Sequence, residues 1–287
     1  MSYTYANGKS DADLVSYNSV RGADVKVIMG AVQESNPISQ LHEDFGVPGE
    51  YERETKSVDG ALKFLQATDF VERPSERTVE PISEQPFEEL SFELQMCHHL
   101  IQQKEPQDHF IQLHQLLASQ DAVFVDKEEF EEELERELGD YPFDWNKQKV
   151  KVWYDMMSPL GLVSVRDNQK ILTSPSPAMF YDALAAFVDA ESSSRMRDAL
   201  DWIEENFFYC YADRGGVAPR VHTGLDQTIE TMTSDDVLEL STTSDSTHEV
   251  AIPSEKAART SSFSLNERPD APSYRYPLET HNSEVSQ

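Results

Sequence analysis

The feature that most limits what this chain can fold into is a recurring order of short elements: apolar stripes at helical spacing, closed by a stretch with the alternation of a β-hairpin. Val25, Ile28, Met29 and Val32 fall three and four residues apart, and Asn36-Pro37 marks the end of that helix. Ile38, Leu41 and Phe45 form a second short stripe that Gly46 ends, and Pro48-Gly49 makes a turn. Val58, Ala61, Leu62 and Leu65 form a third, in a helix that the sequence starts near Tyr51-Glu52-Arg53-Glu54. The segment from Phe70 through Arg73-Pro74 to Arg77-Thr78-Val79 then reads as a short hairpin. None of these pieces buries its apolar face alone, so residues 21–82 are expected to fold as one small unit.

The order recurs twice downstream, less sharply. Residues 82–92 read as a linker containing Pro86. Phe92 to Leu117 is largely helical, with Leu94, Cys97, Leu100 and Ile101 on one face and Pro106 as an interruption. The segment Asp126 to Asp140 holds nine acids and two bases, with Phe130, Leu134 and Leu138 at every fourth position. Asp144 is the expected N-cap of a helix from Trp145 to Ser158, and Leu162–Val165 and Lys170–Leu172 read as strand, turn and strand. Residues 90–175 thus form a second expected unit. The third spans 178–267. It has two helices through Phe180, Leu184, Phe187 and through Met196, Leu200, Ile203, Phe207, then a helix from Leu225 to Leu240. Strands at His248–Ile252 and Thr260–Leu265 close it. Residues 1–20 read as a flexible arm and 268–287 as a disordered tail. The expected fold class is mainly α with small β-hairpins, an α+β chain of tandem units.

Val25-x-x-Ile28-Met29, Ser57-Val58-x-x-Ala61-Leu62-x-Phe64-Leu65 and the closing Thr68-Asp69-Phe70-Val71-Glu72-Arg73 together resemble the winged-helix DNA-binding proteins of haloarchaea. Multi-unit proteins of this kind also resemble components of archaeal restriction and defence clusters. The resemblance implies tandem winged-helix units, double-stranded DNA as partner and a recognition helix that closes into a wing strand. One departure stands out: Glu52 and Glu54 sit where phosphates would approach the first recognition helix. Many winged helices have lost DNA binding and dock proteins instead, so a protein–protein adaptor is the alternative.

Charge bears directly on that choice. The chain holds 53 Asp and Glu against 24 Lys and Arg, a formal charge of -29, and only 11 of the bases are Lys. Acids spread from end to end, with Lys used sparingly, fit a protein hydrated in a salt-loaded cytoplasm. In molar salt the Debye length is about 3 Å, so local patches rather than net charge decide binding. Cys97 and Cys210 lie far apart without a CxxC or Cys/His cluster, which argues against a disulfide scaffold or zinc finger. No apolar run approaches the roughly 18 residues that span a bilayer, and the start of the chain lacks a signal-peptide pattern, so a cytoplasmic protein without membrane association is expected.

Base reading needs Arg, Lys, Asn, Gln or Ser on the exposed face of a helix. Residues 145–173 supply Lys147, Lys149, Lys151, Arg166 and Lys170 against only Asp155 and Asp167, a local positive excess in an acidic chain. Lys147 and Lys151 share a helical face, and Arg166 and Lys170 flank the hairpin turn. The first unit offers Arg53, Lys56, Ser57 and Lys63 on the helix with Arg73 and Arg77 in the wing, but residues 51–80 hold five bases against seven acids. Trp153 is expected in the core, while Trp145 and Tyr154 suit either core or base stacking. His98, His99, His109 and His114 lack metal-ligand spacing and are expected to be solvated or partly buried. The acidic run lacks the alternation and glycine of a calcium loop. With no GxSxG, P-loop or GxGxxG pattern, neither a catalytic constellation nor a cofactor is expected.

Overall fold

A computed structural model describes residue 14 and residues 20–32, 34–49, 54–83, 86–104, 108–137, 145–166, 169–215, 218–242, 249–254 and 260–270. The chain is α+β, with small antiparallel sheets beside helices of 8 to 15 residues.

The first group of elements is α1 (Gly22–Ala31), β1 (Asn36–Pro37), α2 (Ile38–Phe45), α3 (Lys56–Ala67), β2 (Val71–Ser75) and β3 (Thr78–Pro81). The strands pair in the order β1-β3-β2, with Pro37 opposite Thr78 and Glu72 opposite Glu80. Val25, Ile28, Leu41, Val58, Leu62 and Leu65 are all buried, so the three apolar stripes meet in one core. Two boundaries differ from expectation. The helix α1 stops at Ala31, and Asn36-Pro37 is itself a strand, because the extended backbone that Pro favours fits a sheet edge. The helix α3 starts at Lys56 rather than near Tyr51; Glu54 instead exchanges backbone hydrogen bonds with Val47 at 2.8 and 3.1 Å.

A helix without a counterpart in the first group, α4 (Phe92–Ile101), follows the linker. It buries Leu94, Met96, Cys97, His99 and Leu100, which wrap around most of its circumference. Such all-round burial requires neighbours on several sides. The helix packs against α5 (His109–Ser119), α8 (Pro177–Glu191) and α9 (Met196–Asn206), and its Glu93 binds Lys26 of α1 at 2.5 Å.

The second group repeats the first: α5, β4 (Phe124–Asp126), α6 (Lys127–Glu137), α7 (Lys147–Met157), β5 (Ser164–Arg166) and β6 (Lys170–Leu172), with strand order β4-β6-β5. The helix α7 begins two residues later than expected. Asn146 is its N-cap, its side-chain oxygen accepting from the Lys149 backbone N–H at 3.0 Å; Asp144 lies outside the described residues. Trp153 is fully buried and its Nε1 donates to the Phe110 carbonyl at 2.9 Å, which fixes the rotation of α7 against α5. Phe130 and Leu134 hold α6 to the same core; Leu138 lies outside the described residues.

The third group contains α8, α9, β7 (Tyr211–Asp213), β8 (Arg220–Val221), α10 (Thr223–Ser234), β9 (Leu238–Ser241) and β10 (Ser262–Leu265). The expected helix over 225–240 is cut at Ser234. Asp236 takes a positive φ of 59°, and Leu238–Ser241 then alternates buried and exposed as a strand. That strand, rather than the segment at His248–Ile252, pairs with β10; of the expected partner only Val250 bridges Thr260. A single bridge from Arg195 to Ser262 on the far side of β10 gives the order Arg195-β10-β9. This is the strand order of the other two groups, with the first strand reduced to one residue. The three groups thus share one order of strands.

The groups share one continuous apolar core from Leu14 to Phe263. Leu14 lies within the segment expected to be a loose arm, yet is fully buried. Close backbone approaches mark the joints. A Cβ on Gly22 would meet the Met156 carbonyl oxygen at 2.7 Å, where α1 crosses α7. One on Gly224 would meet the Thr173 carbonyl oxygen at 2.6 Å, where α10 starts beside the end of β6. No helix among the described residues is long and apolar enough to cross a membrane.

Candidate interaction surface

The helices α3 and α7 occupy the same place in their groups, the helix before the wing, where a winged helix reads a DNA groove. On α3, Lys56 and Lys63 are exposed and Ser57 is half-buried. Between them Asp59 accepts from Thr55 Oγ1 at 3.1 Å and pairs with His42 Nε2 at 2.8 Å, so a carboxylate sits in the middle of the face. In the wing Arg77 is exposed, and its backbone N–H donates to Ser75 Oγ at 3.2 Å. Arg73 is half-buried, and its Nε is buried without a hydrogen-bond partner among the described residues. Arg53 lies outside the described residues.

The helix α7 presents Lys147, Lys149 and Lys151, but tertiary structure changes what they offer. The acidic helix α6 lies alongside. Lys147 Nζ is 3.7 Å from Glu128 and 3.9 Å from Glu131, and these residues border a groove of about 460 Å3 that Glu132, Glu135 and Trp145 also line. Lys151 pairs with Asp155 one turn on. Lys149 is half-buried near the capped end. Trp145 and Trp153 are both core residues, only 5% and 0% exposed, so neither stacks on a base. The half-buried ring of Tyr154 carries Lys127 Nζ over its face, 4.2 Å from the centroid.

The wing of this group differs. Arg166 and Lys170 are both exposed and directly opposite each other in the β5–β6 ladder, with Asp126 opposite Lys170 on β4. Neither basic residue has an ion-pair partner among the described residues, and like charges directly opposite are unfavourable unless an anion or solvent intervenes.

Of the four histidines expected to be solvated or partly buried, His98 is half-buried as expected and three prove more deeply placed. His109 and His114 are 0% and 2% exposed, and His99 is also buried. The ring of His114 stacks near Tyr209 at the contact of α5 with β7, and burial, with His222 beside it, pushes its pKa down to about 3. His222 caps α10 through Nδ1, which accepts from the Leu225 N–H at 3.2 Å; burial outweighs the pull of Asp121 and takes its pKa to about 4. Asp121 accepts from the Thr223 backbone and hydroxyl at 3.0 and 2.8 Å and pairs with Arg220. Burial raises the Asp121 carboxyl, but these hydrogen bonds and the Arg220 charge together hold it below the usual carboxylate range. These residues join groups two and three. No group of three or more His, Cys, Asp or Glu among the described residues is placed to hold a metal ion.

The sequence reading missed the cations that α7 meets through folding, Lys127 and Arg21. Both line a cavity with Lys151 at the α1–α7 crossing. The only signal was Lys127 heading the acidic run, which gave no hint of its neighbours. Compared with protein-family models, curated proteins and solved structures, the chain matches none.

Proposed function

We propose that this chain is a non-enzymatic docking scaffold whose α6–α7 face engages a protein partner carrying basic side chains. One observation carries the reading: the helix that would enter a DNA groove has two of its lysines, Lys147 and Lys151, bound to carboxylates. Glu128 beside Lys147 is 82% exposed. Binding to DNA gains its affinity from cations that replace counterions at phosphates. Here those cations would first have to leave Glu128, Glu131 and Asp155, and the phosphates would then lie against α6. A basic partner meets the same surface with favourable charge, and complementary potentials raise association rates and specificity. The resemblance to winged-helix proteins of haloarchaea supports the reading, since docking is a recurrent use of that unit. So does the acidic surface of a salt-adapted cytoplasmic protein.

The test is affinity purification of the full chain in potassium chloride from physiological to molar, with lysine-reactive cross-linking and mass spectrometry. Cross-links from Lys147 or Lys151 to a single enriched protein, weakened by Glu128→Lys with Glu131→Lys, are the expected result. Cross-links confined to other surfaces would overturn it.

A second reading, double-stranded DNA through the wing, is favoured by Arg166 and Lys170, which face each other across the ladder and make no ion pair among the described residues, with Asp126 opposite Lys170 on β4. It predicts a mobility shift of labelled duplex whose salt dependence flattens when Lys147, Lys151, Arg166 and Lys170 are replaced together. Loss of one phosphate contact lowers the slope of log K against log salt by about 0.9. The first-group residues Lys56, Ser57, Lys63, Arg73 and Arg77 would act as secondary contacts.

A further inference from the structure

Where α1 crosses α7, the surface forms an open cleft of about 460 Å3 lined by Arg21, Lys127, Lys151, Tyr154, Asp155 and Ser158, among others. Three cations and one carboxylate in one cavity run against the composition of a chain with 53 acids and 24 bases. The single carboxylate, Asp155, is already paired with Lys151. Lys127 has no ion-pair partner among the described residues. Its ammonium sits 4.2 Å from the Tyr154 ring centroid, and the Lys151 ammonium is 6.0 Å from the same centroid. Two like charges are therefore gathered over one ring. Burial pushes the Lys127 pKa down, and Lys151 pushes the same way against Asp155 and Glu131. The first turn of α1, which no side chain caps, borders the cavity through Ala23, adding the positive end of a helix dipole. Asp24 lies in that turn but does not line the cavity.

Lys127 is half-buried, Arg21 and Lys151 are exposed, and like charges gathered at one place repel unless an anion joins them. We propose that this cleft binds a phosphoryl group, with Lys127, Lys151 and Arg21 supplying the charge and the Tyr154 hydroxyl a further donor. The volume lies within the range of about 300–1,000 Å3 of small-molecule sites and suits a diphosphate. The site shares Lys151 with the proposed docking face but extends towards α1, through Arg21 and Ala23, and Lys147 does not line it. The phosphoryl group has two sources, a small phosphorylated molecule or a nucleic-acid backbone.

Isothermal titration of the full chain with sodium pyrophosphate, against potassium chloride of matched ionic strength, tests the proposal. Saturable binding is expected, weakened about tenfold or more by Lys127→Gln and by Arg21→Gln, which corresponds to about 1.4 kcal/mol. Lys127→Arg should restore it, and Lys104→Gln, which removes the same charge outside the cavity, should leave it unchanged. A short duplex DNA then separates the sources. Displacement of pyrophosphate by the duplex assigns the site to backbone phosphate, and its failure to compete assigns it to a small molecule. Absence of binding beyond that of chloride, or binding by Lys127→Gln as tight as by the unchanged chain, overturns the proposal.

Discussion

Two lysines one turn apart on one face of α7 have different electrostatic surroundings. On the α6 side Lys147 meets Glu128 and Glu131 in a groove that Glu132 and Glu135 extend. One turn on, Lys151 pairs with Asp155 and also lines a cleft with Lys127 and Arg21. The helix is the same, and so is the residue type. What differs is which neighbour the fold delivers. A count of charges along residues 145–173 therefore shows a single basic patch where the folded chain has two environments, one with carboxylates in excess and one with cations in excess.

The sharpest way to break that comparison is to release α7 from its rotation. Trp153→Ala removes a fully buried ring and the hydrogen bond to the Phe110 carbonyl, and should cost about 3–5 kcal/mol in denaturant unfolding. A loss below about 1 kcal/mol would mean that Trp153 does not hold the helix. Acid should act next. His114 and His222, with pKa values of about 3 and 4, and His98, which burial also lowers, all sit below the ordinary imidazole value of 6.5. As pH falls through 6.5 the unfolded chain takes up protons that the folded chain refuses. Stability is thus fully present above 6.5 and lost progressively towards the folded values, at up to about 1.4 kcal/mol per pH unit for each group. Between pH 6.5 and about 5 the slope lies above the carboxylate range, and His114→Gln should reduce it; a flat profile would contradict the burial of these rings. The smallest effect sharpens the comparison directly. A double-mutant cycle of Lys147→Gln with Glu131→Gln should give a coupling of about 0.2–1 kcal/mol that fades with salt, as exposed pairs do. A coupling that salt leaves unchanged would place Lys147 in a drier setting than its exposure indicates.

Much of the fold could be read from apolar spacing. The stripe through Val58, Ala61, Leu62 and Leu65 and the hairpin after it are both present, because each is a local pattern that the core merely accepts. The first strand of each group was not legible. Asn36-Pro37 is two residues long and the third group uses Arg195 alone, too short for any alternation to show. The break at Asp236 was hidden for a related reason: Leu225, Ile229 and Met232 lead at helical spacing into Leu238, and only the positive φ at Asp236 marks the switch. At the candidate sites Lys147 and Lys151 were visible as residues, but their partners come from α6, from Asp155 and from α1. Sequence spacing carries no information on which charge a neighbouring helix brings across a groove.

The helix at Phe92–Ile101 has a consequence for how such a chain changes over generations. It rests on helices from the second and third groups and is tied to the first through Lys26. A gene fragment encoding any one group would leave Leu94, Met96 or Leu100 uncovered, or would lack the surface they cover. Repeats of this shape are often pictured as beads that recombination can add, drop or reorder. Here the shared helix couples the three groups, so that removing any one of them strips part of its packing or its tie to α1.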